Sequence, residues 1–276
     1  MNSRKLRFGL PLVVGVSLVA LMGAQCQPQK PPGTPGTPPT TQVGPGDPGV
    51  DCTASAAGLN PFTQDELDNN WGEDRAFPTG GVQSVSFDGC DNVAQLSIDN
   101  SMTAPGLFQR TEGLKNPPGS PAAGNFGTAV EVSLYLDPAW ADNAVRAGLW
   151  VVGDDGAGAR DELFGILEFT NIEPITSGLD LGSGGGDHEG FRIWDNDIGF
   201  VEVGTAFTYG EWVTLRIELD TSALKYNYFV NGALVGSVDA GDQFIREVFL
   251  NHFNYGEHTF ANLGTESYQG HWYAGA

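Results

Sequence analysis

The chain has 276 residues, a formal net charge of −21 from 34 acidic against 13 basic side chains, and 40% apolar residues. That balance excludes nucleic acid and an anionic lipid surface as partners, since both repel so acidic a chain. The length and apolar content allow one large β domain with its own core.

In chain order, Arg4, Lys5 and Arg7 precede an apolar run, Phe8–Leu21, too short to span a bilayer comfortably. This is the form of an export signal, so residues 1–25 are expected to be a signal peptide. Met22-Gly23-Ala24 offers a small residue for ordinary signal peptidase. Gly23-Ala24-Gln25-Cys26 loosely resembles a bacterial lipoprotein box with lipid on Cys26, although Gln25 occupies the place of a small residue. Both cleavages stay open. Residues 26–50, rich in Pro, Gly and Thr, hold almost no large apolar side chain and are expected to be a disordered, extended tether. The expected address is extracytoplasmic: a lipoprotein of the bacterial outer membrane or cell surface, or a secreted protein, touching membrane only through its N-terminal lipid. If Cys26 carries lipid, Cys52 and Cys90 remain to pair as a disulfide.

Residues 51–276 form the expected globular domain. Thr63 and Glu66 have capping-box spacing for one short helix. Strands are expected at Val82–Phe87, Val93–Ile98, Thr128–Leu136, Ala147–Val152, Phe164–Thr170, Phe191–Trp194, Ile198–Val203, Phe244–Leu250 and Tyr268–Tyr273. The strongest pattern lies in Glu211–Val238, where Val213, Leu215, Ile217 and Leu219 alternate with Trp212, Thr214, Arg216 and Glu218, a period that suits a half-buried strand. Lys225–Val230 follows, Asn231-Gly232 supplies a type I′ turn, and Ala233–Val238 returns, giving an antiparallel meander. Short strands with Gly, Asp, Asn and Pro clusters between them are most simply stacked as two antiparallel sheets.

The meander's order of Trp, alternating apolar strand, Asp, aromatic strand and Val-Asn-Gly resembles the laminin-G-like and concanavalin A-like lectin/glucanase superfamily. The stretches RTEGL, LYLDPAW, LEFTN, GFRIWD and HWYAGA are similar to secreted bacterial proteins of that sandwich type. The resemblance implies an all-β, antiparallel two-sheet jelly roll, and a carbohydrate-related function by fold analogy.

Strand parity puts an aromatic or polar residue opposite several aliphatic faces. Trp150, Glu168, Thr170, Arg192, Trp194 and His252 are therefore the candidate ligand-binding residues of a concave face, where indoles stack on sugar rings and polar groups bind hydroxyls. The competing reading makes the tryptophans a second core layer and Glu168–Arg192 a structural ion pair. Glycosidases of the resembled superfamily carry Glu-x-Asp-x-x-Glu on one strand. Here Glu168 and Glu173 match the glutamates, but Thr170 replaces the Asp and the two glutamates fall at odd separation, so no catalytic residue is assigned. A lyase arrangement of His252 with Arg192 is conceivable, but no spacing requires it. His188, His252, His258 and His271 lack zinc-ligand spacing, and no metal site is assigned. Asp195-Asn196-Asp197 and Asp154-Asp155 have oxygens of the kind a structural calcium uses, without a full binding loop. The expected function is non-catalytic binding of a polysaccharide or cell-surface glycan by a monomer without an organic cofactor. A polysaccharide-degrading hydrolase or lyase on the same scaffold, and a structural or adhesive surface module, are the alternatives.

Overall fold

The computed structural model describes residues 61–98, 111–118, 124–142, 145–156, 160–171, 189–253 and 270–275, all within one compact unit, Pro48–Ala276. The signal and tether segments, Cys26, Cys52, Glu173, His188 and His258 lie outside the described residues.

Among the described residues, the helix α1 (Gln64–Asn70) precedes the strands β1 (Gly72–Glu73), β2 (Gly81–Phe87), β3 (Cys90–Ile98), β4 (Thr111–Asn116), β5 (Ala129–Tyr135), β6 (Arg146–Asp154) and β7 (Arg160–Thr170). The rest are β8 (Gly190–Asp195), β9 (Gly199–Val203), β10 (Trp212–Asp220), β11 (Lys225–Val230), β12 (Ala233–Asp239), β13 (Phe244–Phe253) and β14 (Gly270–Gly275). They form two seven-stranded sheets, ordered β1-β4-β13-β6-β7-β8-β9 and β12-β11-β10-β5-β14-β3-β2. Every strand pair is antiparallel. The result is the open jelly-roll sandwich expected from the sequence. Among the described residues, no helix is long and apolar enough to cross a membrane.

The meander forms as its pattern predicts. In β10, Val213, Leu215, Ile217 and Leu219 are buried while their neighbours are half-buried. Leu215 pairs with Val132 of β5 and Val230 of β11, so the row of aliphatic side chains continues across the sheet. Asn231 and Gly232 both take positive φ, 49° and 74°, as a type I′ turn requires. Leu149, Val151, Leu167, Phe169, Phe191, Ile193, Val248 and Leu250 face this layer from the other sheet and complete the core. Each fully buried side chain of this size stabilises the fold by roughly 1.5–3 kcal/mol.

Three local features depart from the expectations. At α1, Thr63 Oγ1 accepts from the Glu66 backbone N at 3.1 Å, but the Glu66 carboxylate accepts from Asn70 Nδ2 at 2.6 Å instead of turning back, so the capping box is half made. Strands β1 and β4 were not anticipated, because Thr111–Asn116 has no alternation and forms by pairing with β1 and β13. Last, β6 is buried at all nine positions, so its sheet is covered there on its outer face as well as its inner one, which departs from an open concave groove and fits the competing reading of a second core layer. A second apolar cluster, Trp150, Val152, Ile166 and Phe249 with Phe164, Trp194 and Phe200, lies on that outer face. Cys90, at the start of β3, is buried and engaged.

Candidate ligand-binding face

The register across the first sheet lines up one row of residues on the outer face: Gly113 of β4, Asn251 of β13, Gly148 of β6, Glu168 of β7, Arg192 of β8 and Glu202 of β9. Two residues along the strands, Lys115, Phe249, Trp150 and Ile166 form a more apolar row, and Trp194 pairs with Phe200 at the far edge. The alternation of LEFT in β7 explains the placement, since Leu167 and Phe169 enter the core and leave Ile166, Glu168 and Thr170 outward.

Glu168, 1% exposed, is the hub. Its Oε1 accepts from Arg146 Nε and Arg192 Nε, both at 2.7 Å, and its Oε2 accepts from Trp150 Nε1 at 3.3 Å. Both guanidiniums also lie over the Phe200 ring, with Cζ 4.6 Å (Arg146) and 3.9 Å (Arg192) from its centroid, and Arg75 lies 4.9 Å over Trp150. A carboxylate shared between two arginines and an indole is held as an anchor and is poorly placed to act as a nucleophile. Sequence reasoning paired Glu168 with Arg192; the structure adds Arg146, whose position 22 residues upstream gave no signal.

The other anticipated residues divide. Trp150 is 7% exposed and packed in the outer cluster, whereas Trp194 is half-buried, with Nε1 donating to Asn196 Oδ1 at 3.0 Å. Thr170 is buried beside Arg146 in the register. His252 occupies the register position opposite Ala147, and its side chain lies outside the described residues. The place beside Gly148, in the Glu168 row, belongs to Asn251. Trp150, Glu168, Arg192 and Trp194 are thus gathered on one face, and Asn251 joins them.

Asn251 was missed by reasoning from sequence. It is 1% exposed, and neither Oδ1 nor Nδ2 has a hydrogen-bond partner among the described residues. Its amide leans over Gly113, where a Cβ would lie 2.9 Å from Asn251 Oδ1 and 2.2 Å from the Leu250 carbonyl oxygen. The absence of a side chain at Gly113 is therefore what gives the amide its place. Next along the row is Asp74, whose backbone N donates to the Gly113 carbonyl at 3.1 Å. Asp74 is 5% exposed, its Oδ1 is 3.5 Å from Arg75 Nε, and its Oδ2 has no hydrogen-bond partner among the described residues. Burial raises the Asp74 carboxyl above its ordinary range, against the opposing pull of Arg75 and Lys115.

Two of the acids that sequence offered to calcium, Asp195 and Asp154, accept hydrogen bonds within the chain. Asp195 Oδ1 accepts from the backbone N of Asp197 at 2.8 Å and of Ile198 at 3.3 Å. Asp154 accepts from the Gly156 backbone N at 2.8 Å and from Arg246 Nη1 at 3.0 Å. Among the described residues, no group of three or more His, Cys, Asp or Glu side chains is placed to hold a metal ion.

No family model and no curated protein matches the chain. Among solved structures, it is similar to a Bacillus licheniformis beta-glucanase at 14% identity and a TM-score of 0.42, covering 78% of this chain and 92% of that one. A glycoside hydrolase family 16 endo-glucanase from Bacteroides ovatus matches at 12% identity and a TM-score of 0.43, covering 75% and 93%. LamA from Zobellia galactanivorans, solved in complex with laminaritriose and laminaritetraose, matches at 14% identity and a TM-score of 0.41, covering 75% and 90%. The two-sheet architecture agrees with the concanavalin A-like resemblance of the motifs.

Proposed function

We propose that this protein is an exported carbohydrate-binding β-sandwich, acting as a monomer, whose ligand lies on the outer face of the sheet that carries Asn251, Glu168 and Trp194. The observation that carries this reading is the half-buried ring pair of Trp194 and Phe200 at the edge of that face; the Asn251 amide is 1% exposed, so a ligand reaches it only by displacing the side chains that cover it. A buried polar group without a partner costs about 1–3 kcal/mol, and a donor and an acceptor side by side suit a sugar hydroxyl, which both donates and accepts. Trp194 and Phe200 supply half-buried ring surface at the edge of the same face. Glu168, Arg146, Arg192 and Trp150 form the rigid floor that positions these groups. Lipid on Cys26 would hold the protein at the bacterial outer membrane or cell surface through the tether, with Cys52 and Cys90 paired. Mass spectrometry of the mature N-terminus and of the cysteine peptides tests both.

Affinity electrophoresis through gels containing a panel of neutral and acidic polysaccharides tests the binding reading. Asn251→Leu is expected to melt at or above the wild-type temperature, because it removes an unsatisfied amide, yet to lose retardation by the polymer that retards wild type. Trp194→Ala is expected to weaken the same retardation. Unaltered retardation of both variants would refute this face as the ligand site.

A polysaccharide-degrading enzyme is the second reading, and Asp74 is the observation that favours it. A carboxyl biased by burial toward its protonated form, on the same face, has the property of a general acid. Reducing-end release from the retained polymer, abolished in Asp74→Asn with binding intact, would establish it over simple binding.

A further inference from the structure

The second sheet carries a different surface on its own outer face. Trp212 of β10 pairs with Tyr135 of β5; Tyr273 of β14 pairs with Gln95 of β3, and Gln95 pairs with Gln83 of β2. Tyr135 and Tyr273 bridge the two halves of this row, with ring centroids 6.3 Å apart. Three aromatic rings followed by two amides thus cross five adjacent strands, about 19 Å at the usual strand spacing. Phe87 stacks on Tyr273 with centroids 3.7 Å apart and 8° between the planes, and meets Tyr135 and Trp212 edge-on.

The rings are held in place. Trp212 Nε1 donates to Asp88 Oδ2 at 2.9 Å, and the indole lies over Gly275, where a Cβ would come 3.7 Å from its ring. Gln95 Nε2 donates to Tyr273 Oη at 3.1 Å. Trp212, Tyr135, Phe87 and Gln95 are half-buried and Gln83 is exposed, whereas Tyr273 is 8% exposed beneath Phe87 and packs with Cys90 and Val93, so the ring surface this face offers is that of Trp212, Tyr135 and Phe87. Fixed, partly exposed rings lose little entropy when a ligand stacks on them.

We infer that this row is a second, independent ligand surface, which binds an extended chain of neutral sugars across β10, β5, β14, β3 and β2. The chemistry selects that class. The row itself is uncharged. Its borders are the exposed Asp88 and Asp91 and the half-buried Asp137, on a chain of net charge −21, so a uronate or sulfated polymer is repelled. Ring faces take the C–H surfaces of sugars, while the glutamine amides and border carboxylates take hydroxyls. A 19 Å row is long enough for several rings in line, so a polymer should bind far better than a monosaccharide.

The test uses the purified exported chain in gels containing a neutral β-glucan, a xylan, a galactomannan or anionic alginate. At least one neutral polymer is expected to retard the wild type, and alginate is not. Gln83→Ala, an exposed change that leaves the core alone, should weaken retardation several-fold; Trp212→Ala should weaken it about tenfold or more. Far-UV circular dichroism checks the fold, and if Trp212→Ala fails to fold, Gln83→Ala together with Tyr135→Phe decides. Wild-type retardation that all folded variants of this row retain overturns the inference, as does retardation by alginate alone or by no polymer. Trp194→Ala separates the two faces, since it should weaken binding at the first sheet and leave a component sensitive to Gln83→Ala.

Discussion

Replacing Glu168 by Gln is the most informative single change, because it separates an anchor from a catalytic group. The carboxylate is 1% exposed and faces two guanidiniums at 2.7 Å, with Arg146 and Arg192 themselves only 8% and 4% exposed. The amide keeps the shape but not the charge, so two buried cations lose their counter-charge. Removing one partner of a buried pair typically costs 3–5 kcal/mol, and here one removal affects two partners, so about 3–5 kcal/mol is the expected loss. For a domain of this size that corresponds to a fall in Tm of roughly 6–20 °C. Urea and thermal unfolding followed by circular dichroism measure it. The triple change Glu168→Leu, Arg146→Met, Arg192→Leu removes all three charges together and is expected to recover most of the loss, because no buried charge is then left alone. A Glu168→Gln protein within about 0.5 kcal/mol of wild type would refute the anchor role. If it also lost polymer cleavage at unchanged stability, Glu168 would be a catalytic group after all.

Four further changes probe the scaffold and the candidate face. Gly153→Ala would place a Cβ 1.9 Å from Asp242 Cγ, and Asp242 is fully buried and accepts from the Tyr226 hydroxyl, so urea unfolding should show a loss of about 2–3 kcal/mol or more. Gly232→Ala meets no atom within 4 Å but keeps a φ of 74°, so its cost should be backbone strain alone, about 1–2 kcal/mol, and Asn231→Gly should cost far less. Asp74→Asn tests a pH dependence whose sign follows from burial. Because folding raises the Asp74 carboxyl above 3.8, the folded chain holds that proton more tightly. Its favourable contribution is complete below that value and is lost as pH rises through the folded-state value. Asp74→Asn should therefore be more stable than wild type near pH 7, with the difference shrinking in acid; a variant less stable at pH 7 would contradict the direction.

Much of the architecture is local and could be read directly. The alternation in β10 and β5 and the Asn231-Gly232 turn act over a few residues, and an antiparallel meander follows from them whatever the rest of the chain does. Strands β1 and β4 were illegible for the opposite reason, since Thr111–Asn116 becomes a strand only through hydrogen bonds offered by Gly72–Glu73 and by β13. The candidate face was half legible. Parity placed Glu168, Arg192, Trp150 and Trp194 outward, but parity within a strand says nothing about what lies across it. That β6 would be buried on both faces and that Asn251, beside Gly113, would lack a hydrogen-bond partner among the described residues are facts of register.

The sequence by itself therefore determined the fold class, the meander and the acidic net charge, because each depends on composition or on neighbours a few residues apart. Only the tertiary structure decided that Glu168 is shared by Arg146 and Arg192, that Asn251 replaces His252 in the row beside it, and that Gln83, Gln95, Tyr135, Trp212 and Tyr273 form one row. Those residues come from strands far apart in the chain, and antiparallel pairing makes neighbours of positions that no sequence period connects.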